Sequence, residues 1–333
     1  MSRKFNIAIV GATGVVGHEL VSILHERHFP VENLRLLASE KSAGEKIDFG
    51  DTELVVEALG PQSFRNIDIA FGAVDGSLAR KIADWIAGTS TVYIDKSSAF
   101  RLDPEVPLVI PEVNPDKIAD YRQKNIIACP NCTSTPLVQM LAPLHKKAGL
   151  KHVTVASYQA VSGAGKAGME ELEKQTRDLF NMRESEPGFF PHQIAFNVLP
   201  YIADEEEKLV AETRRIMGLP ELRIAATCAR VPVFNGHSAA VYMEFERALS
   251  ADEAREILGK GPGLLVVDDL SKNLYPTPME ASGGDMTLVG RIRADTSVPH
   301  GLAAWYSSDN LRTGAALNAV KVAEILCKEY LGS

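Results

Sequence analysis

The chain of 333 residues is long enough for two domains and for a full hydrophobic core without disulfide or metal staples. Hydrophobic residues make up 45% of it and charged residues 23%, which is ordinary for a globular protein. The formal net charge of -8 gives no basic excess to meet phosphate backbones, which argues against a general role in nucleic-acid binding.

Cellular location is indicated by three features of the sequence. No stretch approaches the ~20 continuous apolar residues that a membrane helix needs. The first apolar run is too short for a signal peptide and ends in glycines. The four cysteines are sparse, as is typical of proteins in a reducing compartment. We therefore expect a cytoplasmic protein without a membrane segment, and no metal site is predicted.

The first part of the chain alternates apolar runs with helical patterns. Residues 5–10 predict a buried strand, and residues 14–28 predict the helix that follows it. Further strands are predicted at residues 34–38, 67–74 and 91–95, with a helix near residues 78–87. Strands separated by helices predict a parallel sheet built from right-handed βαβ units, as in a Rossmann-type α/β domain.

The pattern changes after about residue 132. A helix predicted near residues 135–148 leads into long stretches that alternate like half-buried strands. These stretches are residues 151–159, 223–233, 239–246 and 286–294. They predict an α+β domain with a mixed or antiparallel sheet and one exposed or interface face.

The remaining elements complete the expected domain organisation. Residues 312–330 predict an amphipathic helix that could return to the first domain, and residues 182–188 are the best candidate for a loop. We therefore expect a Rossmann-type domain at residues 1–131, completed by residues 310–333. A second, α+β domain is expected at residues 132–309.

A glycine-rich turn follows the first strand and opens the first helix. Its spacing, G-x-x-G-x-x-G, differs from the usual G-x-G-x-x-G, and short glycine patterns also mark plain turns. Strand, tight turn and helix are nevertheless the context in which a backbone approaches the pyrophosphate of a dinucleotide. We therefore predict a cofactor site here. Its residues are Gly11, Thr13, Gly14, Val15, Val16 and Gly17.

The end of the second predicted strand favours NADP over NAD. An acidic residue there would bind the ribose hydroxyls of NAD. Ser39, Lys41 and Ser42 instead offer hydroxyls and a cation, which suit a 2′-phosphate. Glu40 is the discordant residue, and we expect it to point to solvent. The alternative is a polar loop without a function.

Two of the cysteines frame a C-P-N-C segment between an apolar strand and a helix. A dithiol redox site is one interpretation of this spacing, although such sites normally occur in much shorter chains. The favoured interpretation is a single nucleophile, Cys132, near a helix N-terminus that stabilises a thiolate. Cys129, Cys228 and Cys327 are expected in the core. A thiolate beside a nicotinamide is typical of aldehyde chemistry through a thiohemiacetal and a thioester.

Seven blocks of sequence, in one order, carry a family resemblance. They are GATGVVG (11–17), SSAFR (97–101), VPLVIPEVN (106–114), PNCTS (130–134), SYQAVSGAGKAG (157–168), CARVPVFNGHS (228–238) and SSDNLRTGAALNAV (307–320). Over nearly its full length the chain resembles the aspartate-semialdehyde dehydrogenases. The short SAG loop after the second strand resembles the Gram-positive-like bacterial branch.

The resemblance implies an activity and a set of roles. The activity is the NADPH-dependent, reversible reduction of L-aspartyl-4-phosphate to the semialdehyde by a homodimer, in lysine, diaminopimelate, threonine and methionine biosynthesis. Cys132 would be the nucleophile, His237 the acid/base and Gln159 a residue that orients the substrate. Arg230 would bind the substrate carboxylate through its planar fork. The other implied contacts are Arg101, Lys208 and Asn131 to phosphate, Glu205 to the substrate ammonium, and Ser162, Gly163 and Asn310 to the cofactor.

Some positions leave alternatives open. Cys129 stands where the family often carries a non-thiol residue, and residues 71–77 lack the serine-rich loop often seen there. Glu205 lies in a run of four acids, so a solvated charged surface is an alternative for it. One enzyme alternative is N-acetyl-glutamyl-phosphate reductase, but the PNCTS block and the spacing from Arg230 to His237 favour the aspartyl enzyme. Another is glyceraldehyde-3-phosphate dehydrogenase, but its usual S-C-T-T-N block and recognisable acid after the second strand are not found. The alternative of another class is a non-catalytic dinucleotide-binding protein.

Overall fold

The computed structural model describes residues 3–332 and divides into two compact units. The first unit runs to Asn131 and resumes at Ala315, and the second runs from Cys132 to Gly314. None of the helices in the described range is both long and apolar enough for a membrane crossing.

The strands follow the predicted pattern in most places and extend it in others. In chain order they are β1 (Phe5–Val10), β2 (Val31–Ala38), β3 (Lys46–Phe49), β4 (Thr52–Ala58), β5 (Ile69–Gly72), β6 (Val92–Asp95), β7 (Ile126–Ala128), β8 (Leu150–Gln159), β9 (Arg223–Arg230), β10 (His237–Phe245), β11 (Leu264–Val266), β12 (Thr287–Asp295) and β13 (Gly301–Ser308). The sequence patterns did not reveal the short strands β3, β4 and β11, or the strand β13.

The structure contains more helices than the sequence patterns predicted. In chain order they are α1 (Val15–Glu26), α2 (Gly76–Ile86), α3 (Ser134–Ala148), α4 (Gly165–Phe180), α5 (Glu205–Met217), α6 (Ala251–Gly259), α7 (Pro278–Ala281) and α8 (Leu317–Leu326). Helices α4 to α7 were not predicted. The predicted loop at residues 182–188 contains no helix or strand.

The sheet of the first unit is parallel except at one edge. Its order is β3-β4-β2-β1-β5-β6-β7, and only the β3–β4 pair is antiparallel. Ile7, Ile9, Phe71 and Ile94 are fully buried in its core. Central strands that are covered on both faces have continuous apolar sequences, which is why they could be predicted. The predicted Rossmann-type sheet is confirmed.

The sheet of the second unit is mixed, as predicted. Its order is β11-β12-β13-β10-β8-β9, with parallel pairing in β11–β12 and β8–β9 and antiparallel pairing elsewhere. Val153 and Val155 of β8 belong to the apolar core that this sheet shares with α3, α5 and α6. Thr154 and Tyr158 alternate with them and are exposed on the opposite face. This alternation produces the pattern of a half-buried strand.

The last predicted element needs a correction. An amphipathic helix over residues 312–330 was expected, but α8 is shorter and has π-helical turns at Arg312–Ala316 and Cys327–Leu331. Helix α8 is also buried on most sides and includes the buried polar residue Asn318. It packs against α1 and β6 inside the first unit, and a helix inside a core needs no polar face.

Candidate active site

A tight turn after β1 brings the backbone to the N-terminus of α1. Gly11 has a φ of +81°, and a Cβ there would lie 2.3 Å from the carbonyl oxygen of Ala73. A Cβ at Gly17 would lie 2.2 Å from the carbonyl oxygen of Gly11. Gly14 precedes α1 without a side-chain cap, and the first turn of α1 carries no acidic residue. These features fit the pyrophosphate of a dinucleotide, which binds backbone N–H groups at the positive end of a helix.

The segment after β2 lies beside this turn. The hydroxyls of Thr13 and Ser42 are 3.5 Å apart. Ser39 precedes a single helical turn at Glu40–Ser42. Lys41 is exposed and forms no ion pair with any residue in the described range, and Glu40 is exposed as well. This set of hydroxyls with one cation fits a 2′-phosphate better than two ribose hydroxyls.

Two cations hold the backbone of the C-P-N segment that leads to the candidate nucleophile. Nζ of Lys96 donates to the carbonyl oxygen of Pro130 at 3.1 Å, and Nε of Arg101 donates to that of Cys129 at 3.0 Å. The guanidinium of Arg101 also donates to the carbonyl oxygen of Lys96 at 2.7 Å. Asn131, which ends this segment, is buried. The segment is therefore positively charged, which favours an anionic ligand.

A buried carboxylate organises the loop that carries these cations. Asp95, at the end of β6, accepts hydrogen bonds from the hydroxyl of Ser97 at 2.7 Å and from its backbone N–H at 3.1 Å. Burial raises the pKa of Asp95, and these hydrogen bonds oppose that rise. Lys96 lies between the two residues, directly before the SSAFR block, and was not predicted as a site residue.

The thiol and imidazole of the candidate site lie together. Sγ of Cys132, two residues before α3 begins, is 3.3 Å from Nε2 of His237. His237 is the first residue of β10, and its Nδ1 accepts a hydrogen bond from the backbone N–H of Ala160 at 3.0 Å. Burial and then the charge of Arg230 lower the pKa of His237 well below its usual value of 6.5. The imidazole is therefore neutral beside the sulfur.

A buried guanidinium faces the same space. Arg230, the last residue of β9, is 7% exposed, and it donates to the carbonyl oxygen of Ala160 at 2.8 Å. It forms no ion pair with a carboxylate in residues 3–332, and burial lowers its pKa. A Cβ at Gly163 would lie 2.8 Å from this guanidinium and 3.1 Å from Nε2 of His237. Because Gly163 has no side chain, the space that the guanidinium of Arg230 and the imidazole of His237 face stays open.

Two further predicted site residues, Gln159 and Glu205, lie next to Arg230. Gln159 pairs with Arg230 in the β8–β9 register, and its Nε2 donates to Glu205 at 3.4 Å. Glu205 is 9% exposed, whereas Asp204 and Glu207 are exposed. Nζ of Lys208 lies 3.6 Å from the carboxylate of Glu205. The run of acids is therefore not uniformly solvated. Glu205 is its only buried member among residues 204–207, and Glu206 is half-buried and accepts from the backbone N–H of Cys228 at 2.9 Å.

The predicted cofactor residues of the second unit bind one another. Nδ2 of Asn310 donates to the hydroxyl of Ser162 at 2.9 Å, and its Oδ1 accepts from the N–H of Gly236 at 2.9 Å. Asp309 accepts from Nδ2 of Asn235 at 2.8 Å. These bonds hold the Asn-Gly turn that leads into β10.

Three contributors were missed by sequence reasoning. Asp309 lies inside one of the blocks that carried the resemblance, and Lys96 directly precedes another, so both had a signal. The third contributor is the backbone of Ala160, whose N–H binds His237 and whose carbonyl binds Arg230. A backbone contact has no side-chain signature, so only the structure reveals it.

Two family models match the chain. The model described as "Semialdehyde dehydrogenase, NAD binding domain" matches residues 6–121, and the one described as "Semialdehyde dehydrogenase, dimerisation domain" matches residues 141–313. Together they define an enzyme class, the semialdehyde dehydrogenases with an NAD(P)-binding domain.

Individual relatives narrow the class. The aspartate-semialdehyde dehydrogenase of Aquifex aeolicus is 47% identical over 98% of this chain and 99% of the relative. Aspartate-semialdehyde dehydrogenase II of Vibrio cholerae has a structure with a TM-score of 0.96 at 41% identity, covering 98% of this chain and 100% of that chain. The same enzyme complexed with ASA has a TM-score of 0.94 at 40% identity over 99% of this chain and 100% of that chain. The Candida albicans enzyme with NADP has a TM-score of 0.78 at 26% identity over 97% of this chain and 98% of that chain. The chain belongs to the aspartate-semialdehyde dehydrogenase family.

Proposed function

We propose that the chain reduces L-aspartyl-4-phosphate to L-aspartate-4-semialdehyde with NADPH, reversibly, through a thioester on Cys132. The observation that carries the proposal is the cluster of a thiol, an imidazole 3.3 Å from it and a buried guanidinium without a carboxylate partner in the described range. The ASA complex of the Vibrio enzyme supports the substrate, and the NADP complex of the Candida enzyme supports the cofactor.

Arg230 is proposed to bind the substrate carboxylate. A buried guanidinium without an anion is costly, so a substrate that supplies a carboxylate gains more there than it would at an exposed arginine. Glu205 is proposed to bind the substrate ammonium because it is the most buried acid of its run and lies next to Gln159, whereas Glu206 accepts from the backbone N–H of Cys228. Gln159 would orient the carbonyl group beside the sulfur.

The covalent step is proposed to take place on the sulfur. The thiolate of Cys132 attacks the acyl carbon, the bond from that carbon to the phosphate oxygen breaks, and the electron pair leaves with the phosphate. Arg101, Lys208 and Asn131 are proposed to stabilise the phosphate, and Lys96 joins them because it holds the same backbone segment as Arg101. His237 is proposed to interact with the sulfur and the reacting oxygen through Nε2.

The cofactor is proposed to bind at the glycine turn with its 2′-phosphate at Ser39, Lys41 and Ser42. Besides the three glycines, Thr13, Val15 and Val16 of the same turn are the proposed contacts. When bound, the nicotinamide supplies the hydride that reduces the thioester. Ser162, Gly163 and Asn310 are the contacts proposed in the second unit. The hydrogen bonds of Asn310 indicate that it also positions the turn before β10.

The exposed face of the second sheet supports the proposal of a homodimer. Tyr158 and Tyr242 are 38% and 42% exposed, and the ring of Tyr158 lies 5.3 Å from that of Trp305. Aromatic residues on an otherwise uncovered sheet face are typical of protein interfaces. The match to a dimerisation-domain model supports the same proposal. Sedimentation of Tyr242→Asp, beside the wild type, tests it, and a mass unchanged from that of a wild-type dimer would place the interface elsewhere.

The proposal also assigns a role to each of the two units and a cellular compartment to the protein. The first unit, with the returning C-terminal segment, is proposed as the NADP-binding domain, and the second as the catalytic and dimerisation domain. None of the four cysteines forms a disulfide, which supports a reducing compartment and hence the cytoplasm. The reaction would serve the synthesis of the amino acids that derive from aspartate.

The test is phosphate-dependent reduction of NADP by aspartate-β-semialdehyde. N-acetyl-glutamate-semialdehyde, NAD and phosphate-free buffer are run in parallel. We expect rapid turnover only with the aspartyl aldehyde, NADP and phosphate together. Turnover with the N-acetylated aldehyde alone would assign another substrate, and NADP binding without turnover of either aldehyde would overturn the proposed activity.

A further inference from the structure

Asp309 is a buried carboxylate that directly follows β13 and is 2% exposed. Its Oδ1 accepts hydrogen bonds from the backbone N–H groups of Leu311 at 2.8 Å and Arg312 at 2.9 Å. Its Oδ2 accepts from Nδ2 of Asn235 at 2.8 Å and from the backbone N–H of Gly283 at 2.7 Å. One side chain thus joins three segments of the second unit.

Four donors on two oxygens suit a carboxylate, which only accepts and offers about four lone-pair sites. Hydrogen bonds to a charged acceptor are also stronger than those between neutral groups. An amide in the place of Asp309 would replace one of the oxygens with an NH₂ group, which cannot accept. Two of the four donors would then face another donor, and a buried donor without an acceptor costs free energy.

The segment that begins at Asp309 reaches the thiol. The carbonyl oxygen of Asp309 accepts from the backbone N–H of Gly314 at 3.1 Å, inside the π-helical turn Arg312–Ala316. A Cβ at Gly314 would lie 2.8 Å from Cβ of Cys132 and 2.9 Å from its Cα. The backbone of this turn therefore packs directly against the proposed nucleophile and fixes where it can lie.

The segment that contains Asn235 reaches the imidazole. Asn235 and Gly236 directly precede His237, the first residue of β10. Gly236 has a φ of +92°, and a Cβ there would lie 2.7 Å from the carbonyl oxygen of Pro278. The turn is therefore closely packed, and its side chain Asn235 is bound by Asp309. A shift of Asn235 would be passed to the start of β10.

We propose that Asp309 is a positioning residue that sets the 3.3 Å separation between Sγ of Cys132 and Nε2 of His237. Its carboxylate holds the turn before the imidazole, and the turn that it begins packs on the thiol. Both reacting side chains are therefore placed relative to one buried group. The inference rests on the proposed function and deepens it, since Asp309 acts through Cys132 and His237.

Asp309→Asn is the first test, because it keeps the size of the side chain and removes acceptor sites. We expect kcat to fall about 10- to 100-fold, since a small displacement of reacting groups is costly. KM for the semialdehyde should stay within about threefold, because Arg230 is held by the backbone of Ala160 and not by Asp309. An unchanged kcat, or a KM that rises as much as kcat falls, would overturn the proposal.

Asp268→Asn is the matched control that separates positioning from stability. The side chain of Asp268 is 3% exposed, and it accepts from the backbone N–H groups of Arg291 at 2.8 Å and Ile292 at 3.1 Å. Its replacement should lower the Tm, because buried N–H groups lose their acceptor, but kcat should stay within about twofold of wild type. An equal loss of kcat in Asp268→Asn and Asp309→Asn would reduce the effect to general stability and overturn the proposal.

Alkylation of the thiol reports on its surroundings without any substrate. Movement of the imidazole away from Sγ removes a polar partner of the thiolate. The pH midpoint of iodoacetamide reaction at Cys132 should therefore rise by about half a unit or more in Asp309→Asn and stay at the wild-type value in Asp268→Asn. An unchanged midpoint in Asp309→Asn would contradict the proposal. Because no aldehyde is used, this result stands even if the proposed substrate is wrong.

Gly314→Ala tests the contact with the thiol while the carboxylate of Asp309 keeps its four donors. The added Cβ would lie 2.8 Å from Cβ of Cys132, so the thiol must be displaced. This variant should show both the fall in kcat and the rise of the alkylation midpoint, and it decides the matter even if Asp309→Asn fails to fold. Wild-type values of kcat and of the midpoint in Gly314→Ala would overturn the proposal.

Discussion

In the first unit, three glycines form the candidate cofactor site by the side chains they lack. In the second unit, Cys132 and Arg230 contribute to the candidate catalytic site by the side chains they carry. The glycine turn is contiguous in the chain, because a strand, a turn and a helix N-terminus follow one another directly. The thiol cluster is assembled from residues up to 105 positions apart. The two sites therefore fail in different ways when they are changed.

Strand register is what assembles the second site. Gln159 and Arg230 end adjacent parallel strands in register, and His237 begins the next strand on the other side of β8. The backbone of Ala160, just beyond β8, then binds both His237 and Arg230. We therefore expect the glycine turn to lose function when a side chain is added to it. We expect the cluster around Cys132 to lose function when one of its functional groups is removed. The predictions below test this contrast.

The largest effect is expected for Cys132→Ala. Removal of the nucleophile should lower kcat by about 10⁴-fold or more, because no other group forms the thioester. NADPH titration by fluorescence should give an unchanged Kd, since the glycine turn is not touched. Cys327→Ala, in the core of the first unit, is the matched loss of a thiol and should keep kcat within about twofold. Normal turnover by Cys132→Ala would remove the nucleophile assignment.

Arg230→Lys should have the second-largest effect. One ammonium cannot replace the planar fork, so KM for the semialdehyde should rise about 10- to 100-fold while the cofactor KM changes little. Arg223→Lys is the control on the same strand, because that guanidinium is exposed and, within the described range, forms an ion pair only with Glu244. Steady-state kinetics with varied aldehyde decide the matter. An unchanged KM in Arg230→Lys would move the carboxylate site elsewhere.

This contrast also explains what the sequence could predict. The parallel strands of the first unit and the turn after β1 are local patterns, and both were predicted correctly in outline. The edge hairpin β3–β4 was missed because only Ile47 and Val56 are buried in it, so neither strand has a continuous apolar sequence. Helix α5 was missed because its first turn is a run of acids, although Glu205 is buried.

Apart from Cys132, the residues of the second site were named in advance only through the family resemblance. The positions of Cys132, Arg230 and His237 in the sequence do not show that their side chains lie close together. Their distances in space are set by the pairing of the strands. The hydrogen bond to Nδ1 of His237 could not be predicted at all, since its donor is the backbone N–H of Ala160. Sequence thus predicts which side chains are available, and the fold determines which atoms of them are free to react.

Gly17→Ala tests whether an added side chain disrupts the glycine turn after β1. The added Cβ would lie 2.2 Å from the carbonyl oxygen of Gly11, so the turn must shift. A forced displacement of this kind costs about 1–3 kcal/mol, and we expect the Kd for NADPH to rise about tenfold or more. Gly60→Ala is the control, because no atom of residues 3–332, apart from Gly60 and its two chain neighbours, lies within 4 Å of its added Cβ. Equal Kd values in both variants would show that the turn does not form the cofactor site.

The smallest effect concerns stability in acid. The pKa of His237 lies well below 6.5 in the folded protein, so below that pH the unfolded chain binds more protons and acid favours unfolding. The contribution of the neutral imidazole is complete above pH 6.5 and is lost as the pH falls. His237→Gln lacks this group, so its Tm should fall less than that of the wild type between about pH 7.5 and about pH 5.5. Parallel melting curves are decisive, because an identical fall in both proteins would mean that the ring accepts a proton freely.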